Sequence, residues 1–401
     1  MKKILFYIPF IKIGGLEQVA IAYLKLLLQK GYKVDLLIDF NLTESGNTFI
    51  NEIPNHVPYQ FVKSEKVSLF IYKFRTLGKK YKLFNIFLYG FVLLFDFLYY
   101  HFKVKKILAE GNYVCSISFY QFLPAYLTKQ KNMKHIIWLH GSVEHFFNGI
   151  GKLFKNAYLQ KLKKYNYIVT IAVEMQEQLM EMYPSLPSEN IKMIYNPFDL
   201  EKIQSKSLEF INLSKEDKLL LEADYICTVS RIDENQKDIK TLIFAFAKLR
   251  EEGKINEKLY IIGEGPSASE LSELVASIGL KNNVLFLGKK NNPFIWMKHA
   301  KLFILSSKFE GFGMVLVEAM TVNTFVISSN CKTGPAEILK QGECGDLFEI
   351  GDTKKLASFI NLALNDSLYR NNKIEKASER LKEFEKDKSI QQLIELIESS
   401  N

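Results

Sequence analysis

The chain has 401 residues, 48% apolar and 24% charged, the composition of an ordinary globular protein with enough material for two separate cores. Its four cysteines, Cys115, Cys227, Cys331 and Cys344, lie far apart with no C-x-x-C spacing. That argues against a zinc site or disulfide framework and for a reducing compartment. The net charge of +9 is uneven, with 25 Lys and Arg against 13 Asp and Glu in residues 1–198 and 28 against 31 in the remainder. Either the first half meets something anionic or it carries a solvated lysine-rich surface.

In chain order, Ile4 to Ile8 reads as a strand and the segment Lys12-Ile13-Gly14-Gly15-Leu16-Glu17 as a glycine loop. Pro9 and Lys12 interrupt the apolar run, which therefore reads as a first strand and not as a signal peptide. Residues 17–30 have helical periodicity and Val34 to Ile38 is the next strand. This βαβ opening predicts a parallel, Rossmann-like sheet, although the full G-x-G-x-x-G of a dinucleotide site is absent. Residues 40–70 carry no clear pattern. Leu83 to Phe102, LFNIFLYGFVLLFDFLYYHF, has the length of a bilayer span, but Asn85, Asp96 and His101 weaken that reading. A crossing here would also split one sheet across the membrane. Between Lys73 and Lys106 there are eight basic residues and one acidic, the mixture of a helix lying on an anionic lipid surface. The alternative is a helix of the domain core. Tyr113–Phe119 and Lys134–Leu139 read as strands, the second followed by His140 at its C-terminal edge, where open α/β sheets bind ligands. Tyr167–Ala172 is a strand and Glu174–Met182 a helix. Tyr195-Asn196-Pro197 marks a turn, and the polar residues 200–220 read as a linker.

The alternation restarts with the strand Tyr225–Val229, followed by Arg231 and Lys237 and a helix from Asp238 to Arg250. Two cations on a loop are solvated by default; a guanidinium and an ammonium together also suit a phosphate. Leu259–Ile262 and Val284–Gly288 are further strands. Leu302–Met320, LFILSSKFEGFGMVLVEAM, reads as strand, glycine turn and helix start. The first amides of such a helix near Gly313 and Met314 are a natural seat for phosphate oxygens. Glu310 on the turn and Glu318 on the helix flank that seat, and would accept hydrogen bonds from hydroxyls on either side of it. Alone, such a unit is equally a buried βα element with glutamates on a solvated rim. Thr324–Ser328 is a strand, and residues 353–364 and 374–399 are helical.

Several of these segments together resemble the retaining GT-B glycosyltransferases of the GT4 family. Glu310-Gly-Phe-Gly with Glu318 is similar to the family's E-x7-E signature, and Arg231 with Lys237 to its diphosphate-binding pair. Ile261-Ile262-Gly263-Glu264-Gly265-Pro266, the strand Val284–Gly288, Gly334-Pro335-Ala336-Glu337-Ile338 and Tyr195-Asn196-Pro197 follow the family order. Gly14-Gly15-Leu16-Glu17 resembles its G-G-x-E start, where Gly15 would approach the donor phosphates. His140 matches the histidine that holds a donor-sugar hydroxyl. Val173 stands where relatives often have serine, and Glu174 is left outside the site. The likeness is strong from Tyr225 to Gly345 and thin from residue 40 to 130.

The resemblance implies an α/β protein of the GT-B fold, two Rossmann-like domains facing across a cleft. Residues 1–198 would bind the acceptor and contact the membrane; residues 199–379 would bind the nucleotide sugar, and a helix from about 380 to 401 would pack back on the first domain. The implied activity is a retaining, metal-independent hexosyl transfer from a nucleotide-diphosphate sugar, with UDP as the expected nucleotide, to a hydroxyl of a lipopolysaccharide, capsule or lipid-linked glycan. Arg231, Lys237, Gly313 and Met314 would hold the diphosphate, Glu318 the ribose, Glu310 and His140 the sugar. No cofactor, metal or nucleic-acid partner is expected. The chain would be bacterial and cytoplasmic, peripheral on the inner face of the cytoplasmic membrane. The rivals are a membrane-associated GT-B scaffold without activity, a glycosidase using the two glutamates, and a phosphorylase or epimerase of the same fold.

Overall fold

The computed structural model describes residues 1–11, 14–42, 49–78, 85–119, 133–141, 155–211 and 213–399. Lys12 and Ile13 of the glycine loop, and Leu83 and Phe84 of the apolar stretch, lie outside the described residues. The chain divides into two compact units. Residues Met1–Ile171, Gln176–Pro197 and Ser389–Asn401 form the first, and Ala172–Met175 with Phe198–Lys388 the second.

The first unit contains β1 (Lys3–Ile8), α1 (Gly15–Gln29), β2 (Lys33–Ile38), β3 (Tyr59–Phe61), α2 (Glu65–Gly78), α3 (Asn85–Gly111), β4 (Cys115–Phe119) and β5 (Lys134–Leu139). It continues with α4 (Lys155–Leu162), β6 (Tyr167–Thr170), α5 (Val173–Met182), whose residues through Met175 belong to the second unit, and β7 (Ile191–Met193). The strands form one parallel sheet in the order β3-β2-β1-β4-β5-β6-β7. Its central strands β4 and β5 are buried throughout, as a parallel sheet covered on both faces requires. The order reverses between β1 and β4, the switch point at which such sheets bind ligands.

The apolar stretch folds as α3 and divides its faces. Tyr100, Val104 and Leu108 recur at four-residue spacing and pack against Leu5, Tyr7, Leu37 and Val62 of the core. Leu94, Phe95, Leu98 and Phe102 are exposed, Phe102 at 73%. Among the described residues no helix is long and apolar enough to cross a membrane. Beside α3, Lys63 and Asp39 form a buried ion pair at the ends of β3 and β2, and the ammonium also lies 4.4 Å from the centre of the Tyr100 ring.

The second unit holds α6 (Leu200–Lys206), α7 (Lys215–Leu221), β8 (Tyr225–Val229), α8 (Ile239–Glu251), β9 (Lys258–Ile262), α9 (Ala268–Ser277), β10 (Val284–Gly288) and α10 (Pro293–His299). Then come β11 (Leu302–Leu305), α11 (Met314–Thr321), β12 (Phe325–Ser329), α12 (Pro335–Ile338), β13 (Asp346–Phe348), α13 (Thr353–Asn365), α14 (Ser367–Leu381) and α15 (Lys386–Glu398), which from Ser389 onward belongs to the first unit. The parallel sheet runs β10-β9-β8-β11-β12-β13. Here the order reverses between the paired strands β8 and β11.

Two sequence expectations are corrected. Residues 200–220 are not a linker but carry α6 and α7, each started by a side-chain cap: Asp199 accepts from Lys202 N, and Ser214 from Asp217 N. The single helix expected over 374–399 is two, α14 and α15, separated by a tight turn at Lys382–Phe384. There the buried Phe384 packs edge-on against Phe198 and Phe312.

The residues from Ser389 onward are fastened within the first unit. Lys134, at the start of β5, directs its ammonium to the carbonyls of Leu396, Ile397 and Ser399. These carbonyls close α15 and have no partner in the helix itself. Lys2 and Tyr32 both donate to Glu398.

Candidate active site

In the second unit, β8 and β11 end side by side, and each delivers one part of the predicted site. The loop after β8 carries Arg231 and Lys237; the turn after β11 carries Glu310 and Gly313. Lys237 Nζ lies 2.5 Å from Glu310 Oε1. Ser307, fully buried at the end of β11, donates to the same oxygen at 2.5 Å. Two donors therefore hold the carboxylate through Oε1, leaving Oε2 for a ligand hydroxyl. Beneath them, Ser306 Oγ donates to the Lys237 carbonyl at 3.0 Å, tying the two loops together.

Arg231 differs from Lys237. Its side chain is 67% exposed and its nearest carboxylate, Asp233, is 3.8 Å away. What is fixed is its backbone. Ser230 N donates to Ile262 O and Ile232 N to Glu264 O, each at 3.0 Å. A Cβ at Gly263 would stand 1.9 Å from Ser230 O, and one at Gly265 2.1 Å from Ile232 O. The glycines of the I-I-G-E-G-P segment thus allow the β9 turn to lie directly on the arginine loop.

Two helices begin beside these cations, and only one is open to an anion. At α8, the Glu234 carboxylate accepts from Ile239 N at 2.6 Å and Lys240 N at 3.2 Å, filling the helix start. At α11, Gly313 takes a left-handed φ of +94° and no side chain caps the first turn. The amides at the start of the helix carry its partial positive end, with Leu316 N turned back on Gly313 O at 2.9 Å. Gly313 and Met314, the residues expected to meet phosphate, stand at this helix start.

Glu318 lies four residues into α11, half-buried, and burial pushes its carboxyl up to about 7. Among the described residues it has no hydrogen-bond donor, which leaves both oxygens for a ligand. Glu174, which the sequence reading leaves out, accepts from Thr333 N at 2.7 Å. Thr333 in turn donates to the Glu310 carbonyl at 2.5 Å. Neither residue carries a spacing signal that points to Glu310.

His140 and Gly15 belong to the first unit. His140 follows β5 with its ring centre 4.1 Å from that of Phe119; burial lowers its pKa to about 3, and its Nε2 is buried without a partner. A neutral ring with one unpaired nitrogen can donate or accept one hydrogen bond. Gly15 opens α1 with no side-chain cap, and the Glu17 carboxylate lies so close that a Cβ on Gly14 would stand 2.5 Å from it. Among the described residues, no group of three or more His, Cys, Asp or Glu side chains could hold a metal ion.

Comparison with known proteins defines the class. Residues 210–380 match the family model of the Glycosyl transferases group 1. The matched residues lie within the second unit. The chain's two parallel sheets have the GT-B fold, and over the whole of both chains it superposes on the crystal structure of Anabaena HepE in complex with UDP and glucose, with a TM-score of 0.73 at 19% identity.

Among curated relatives, the chain is 34% identical over 212 residues to the N-acetylgalactosamine-N,N'-diacetylbacillosaminyl-diphospho-undecaprenol 4-alpha-N-acetylgalactosaminyltransferase of Campylobacter jejuni, covering 53% of this chain and 54% of that one. It is 25% identical to the lipopolysaccharide 1,6-galactosyltransferase of Salmonella typhimurium, covering 59% and 61%. The matched part spans about half the length of the first of these relatives.

Proposed function

We propose that this chain transfers a hexosyl group from a nucleotide-diphosphate sugar to a hydroxyl of a lipid-linked or cell-surface glycan, retaining the anomeric configuration and using no metal. The observation that carries the reading is the pairing of Lys237 with Glu310 beside the uncapped start of α11. A cation and helix-start amides suited to a diphosphate beside a carboxylate suited to a sugar support this reading.

In this mechanism Arg231 and Lys237 neutralise the leaving diphosphate, and the α11 amides receive its oxygens. An ammonium has three donors, so Lys237 can keep Glu310 while contacting phosphate. Glu310 orients the sugar through Oε2 and faces the positive charge developing at the anomeric carbon. Glu318 accepts from the ribose diol. His140 is neutral at physiological pH and acts as a hydrogen-bonding group for the sugar, not as an acid or base. Gly15 allows close approach of the α1 loop to the donor. The acceptor class is supported by the diphospho-undecaprenol and lipopolysaccharide named for the relatives. The exposed apolar face of α3, within the eight-to-one basic stretch, fits a helix resting on anionic lipid at the cytoplasmic face of the membrane.

The test is release of UDP from UDP-glucose, UDP-galactose and their N-acetylamino analogues, with and without an undecaprenyl-diphosphate saccharide. Acceptor-stimulated release supports transfer. Binding without release would leave a non-catalytic GT-B scaffold.

A further inference from the structure

Thr333, in the loop between β12 and α12, is fully buried and has a φ of +62°. Other described non-glycine residues with positive φ are Asn112, Asp238, Asn323, Lys340 and Gln341; Thr333 is the one with a branched Cβ. Left-handed backbone is least tolerable for such a side chain. It persists where the surroundings over-determine it.

Here two carboxyl-bearing residues do so. Thr333 N donates to Glu174 Oε2 at 2.7 Å, and Thr333 Oγ1 lies 2.5 Å from the Glu310 carbonyl oxygen and 2.7 Å from that of Lys332. The next residue, Gly334, has a φ of +111°, and a Cβ there would stand 1.8 Å from Phe312 O. The loop therefore lies on both ends of the turn that carries the Glu310 carboxylate. A glycine at 333 would take the same backbone without strain, yet would offer nothing to the Glu310 carbonyl. The hydroxyl is what the strained conformation supplies.

We infer that Thr333 is a positioning residue for Glu310 and that Glu174 anchors it. Thr333 reaches Glu310 through the backbone and contacts neither cation of the diphosphate site. The assignment rests on the glycosyl-transfer reading for its consequence in turnover, but not for its geometry.

The test compares T333G, T333S, E174A and E174Q in the full chain. It reads amide hydrogen exchange over residues 308–316, kcat and KM for UDP release, and the Kd of UDP. In T333G, exchange in the Glu310 turn should quicken about tenfold and kcat should fall about tenfold or more. The Kd of UDP should stay within about twofold and the melting temperature should not fall, because glycine relieves the backbone. T333S, which keeps the hydroxyl, should restore both exchange and kcat. E174A should behave as T333G, and E174Q, which keeps an acceptor oxygen, should recover most of the loss. Unchanged exchange in T333G, unchanged kcat, or a T333S no better than T333G would overturn the inference. If the wild-type chain releases no UDP from any sugar, the transfer reading fails, and exchange alone still decides whether Thr333 holds the turn.

Discussion

Glu234 Oε1 accepts the backbone hydrogen of Ile239 at 2.6 Å, so the negative charge that the start of α8 favours is already supplied from within the arginine–lysine loop. Without it, the starts of α8 and α11 would be two competing anion seats. With α8 occupied, a diphosphate is directed to α11. Glu234→Ala should cost about 1 kcal/mol of stability as a lost helix cap. It should also weaken discrimination, letting inorganic phosphate compete better with UDP. Unchanged stability and unchanged competition would remove this role.

The two cations should separate in their effects. Arg231→Ala and Lys237→Ala should each weaken nucleotide-sugar binding by about 1.5–3 kcal/mol, the worth of a charge-assisted contact. Only Lys237→Ala should also lower the melting temperature, because it strands the buried Glu310 carboxylate. Arg231 is mostly exposed and its loss should leave stability intact. Calorimetric titration beside thermal melts checks both; near-wild-type turnover in either variant would overturn the diphosphate assignment.

Turnover should survive EDTA. The paired cations and the α11 amides together offset the leaving charge. If chelation abolished release, and magnesium or manganese restored it, the metal-free mechanism would be wrong.

Glu318 should give stability a pH dependence of definite sign. Burial raises its folded-state pKa to about 7 against an ordinary 4.5, so the folded chain holds this proton more tightly than the unfolded one. The stabilisation is full below about pH 4.5, falls as pH rises and is gone above about 7. With about 1.4 kcal/mol for each tenfold in proton affinity, discounted for partial exposure, the loss is about 2 kcal/mol. Glu318→Gln should flatten the decline in melting temperature between pH 5 and 8. It should also weaken UDP binding more at pH 8 than at pH 5.5, because ribose hydroxyls donate best to the ionised carboxylate. A wild-type melting curve with no such decline would place the carboxyl in water.

The chain should sediment with anionic vesicles and partly leave them as salt rises, since screening removes the basic contribution but not the apolar one. Replacing Leu94, Phe95 and Phe102 by serine should abolish the salt-resistant part. These side chains are exposed, so the variant should fold. Failure of the wild type to bind would leave a soluble acceptor as the better substrate class.

Strands such as Leu302–Leu305 were legible because both faces of a parallel sheet are buried and the run is uniformly apolar. Tyr59–Phe61 was not: it is a three-residue edge strand whose side chains are exposed or half-exposed. The helices α6 and α7 hid in a Ser, Lys and Glu composition, though the caps Asp199 and Ser214 were there to be read. Within the site, the residue types at 231, 237, 310 and 318 pointed to their chemistry. The contact between Lys237 and Glu310 could not be seen, since 73 residues separate them and only the β8–β11 pairing brings them together. Glu174 and Thr333 act on a carbonyl and an amide, and backbone partners leave no trace in residue type.

The clasp of Lys134 on the carbonyls that end α15 also fixes an order of events during synthesis. The first unit draws on residues from Ser389 onward, whereas its sheet is complete by Met193. On the ribosome, that sheet must wait through nearly two hundred residues before the segment that covers it emerges. A nascent chain stalled within the second unit would therefore expose the bed of Ile390 and Leu393, a site for chaperones to hold and for proteases to find.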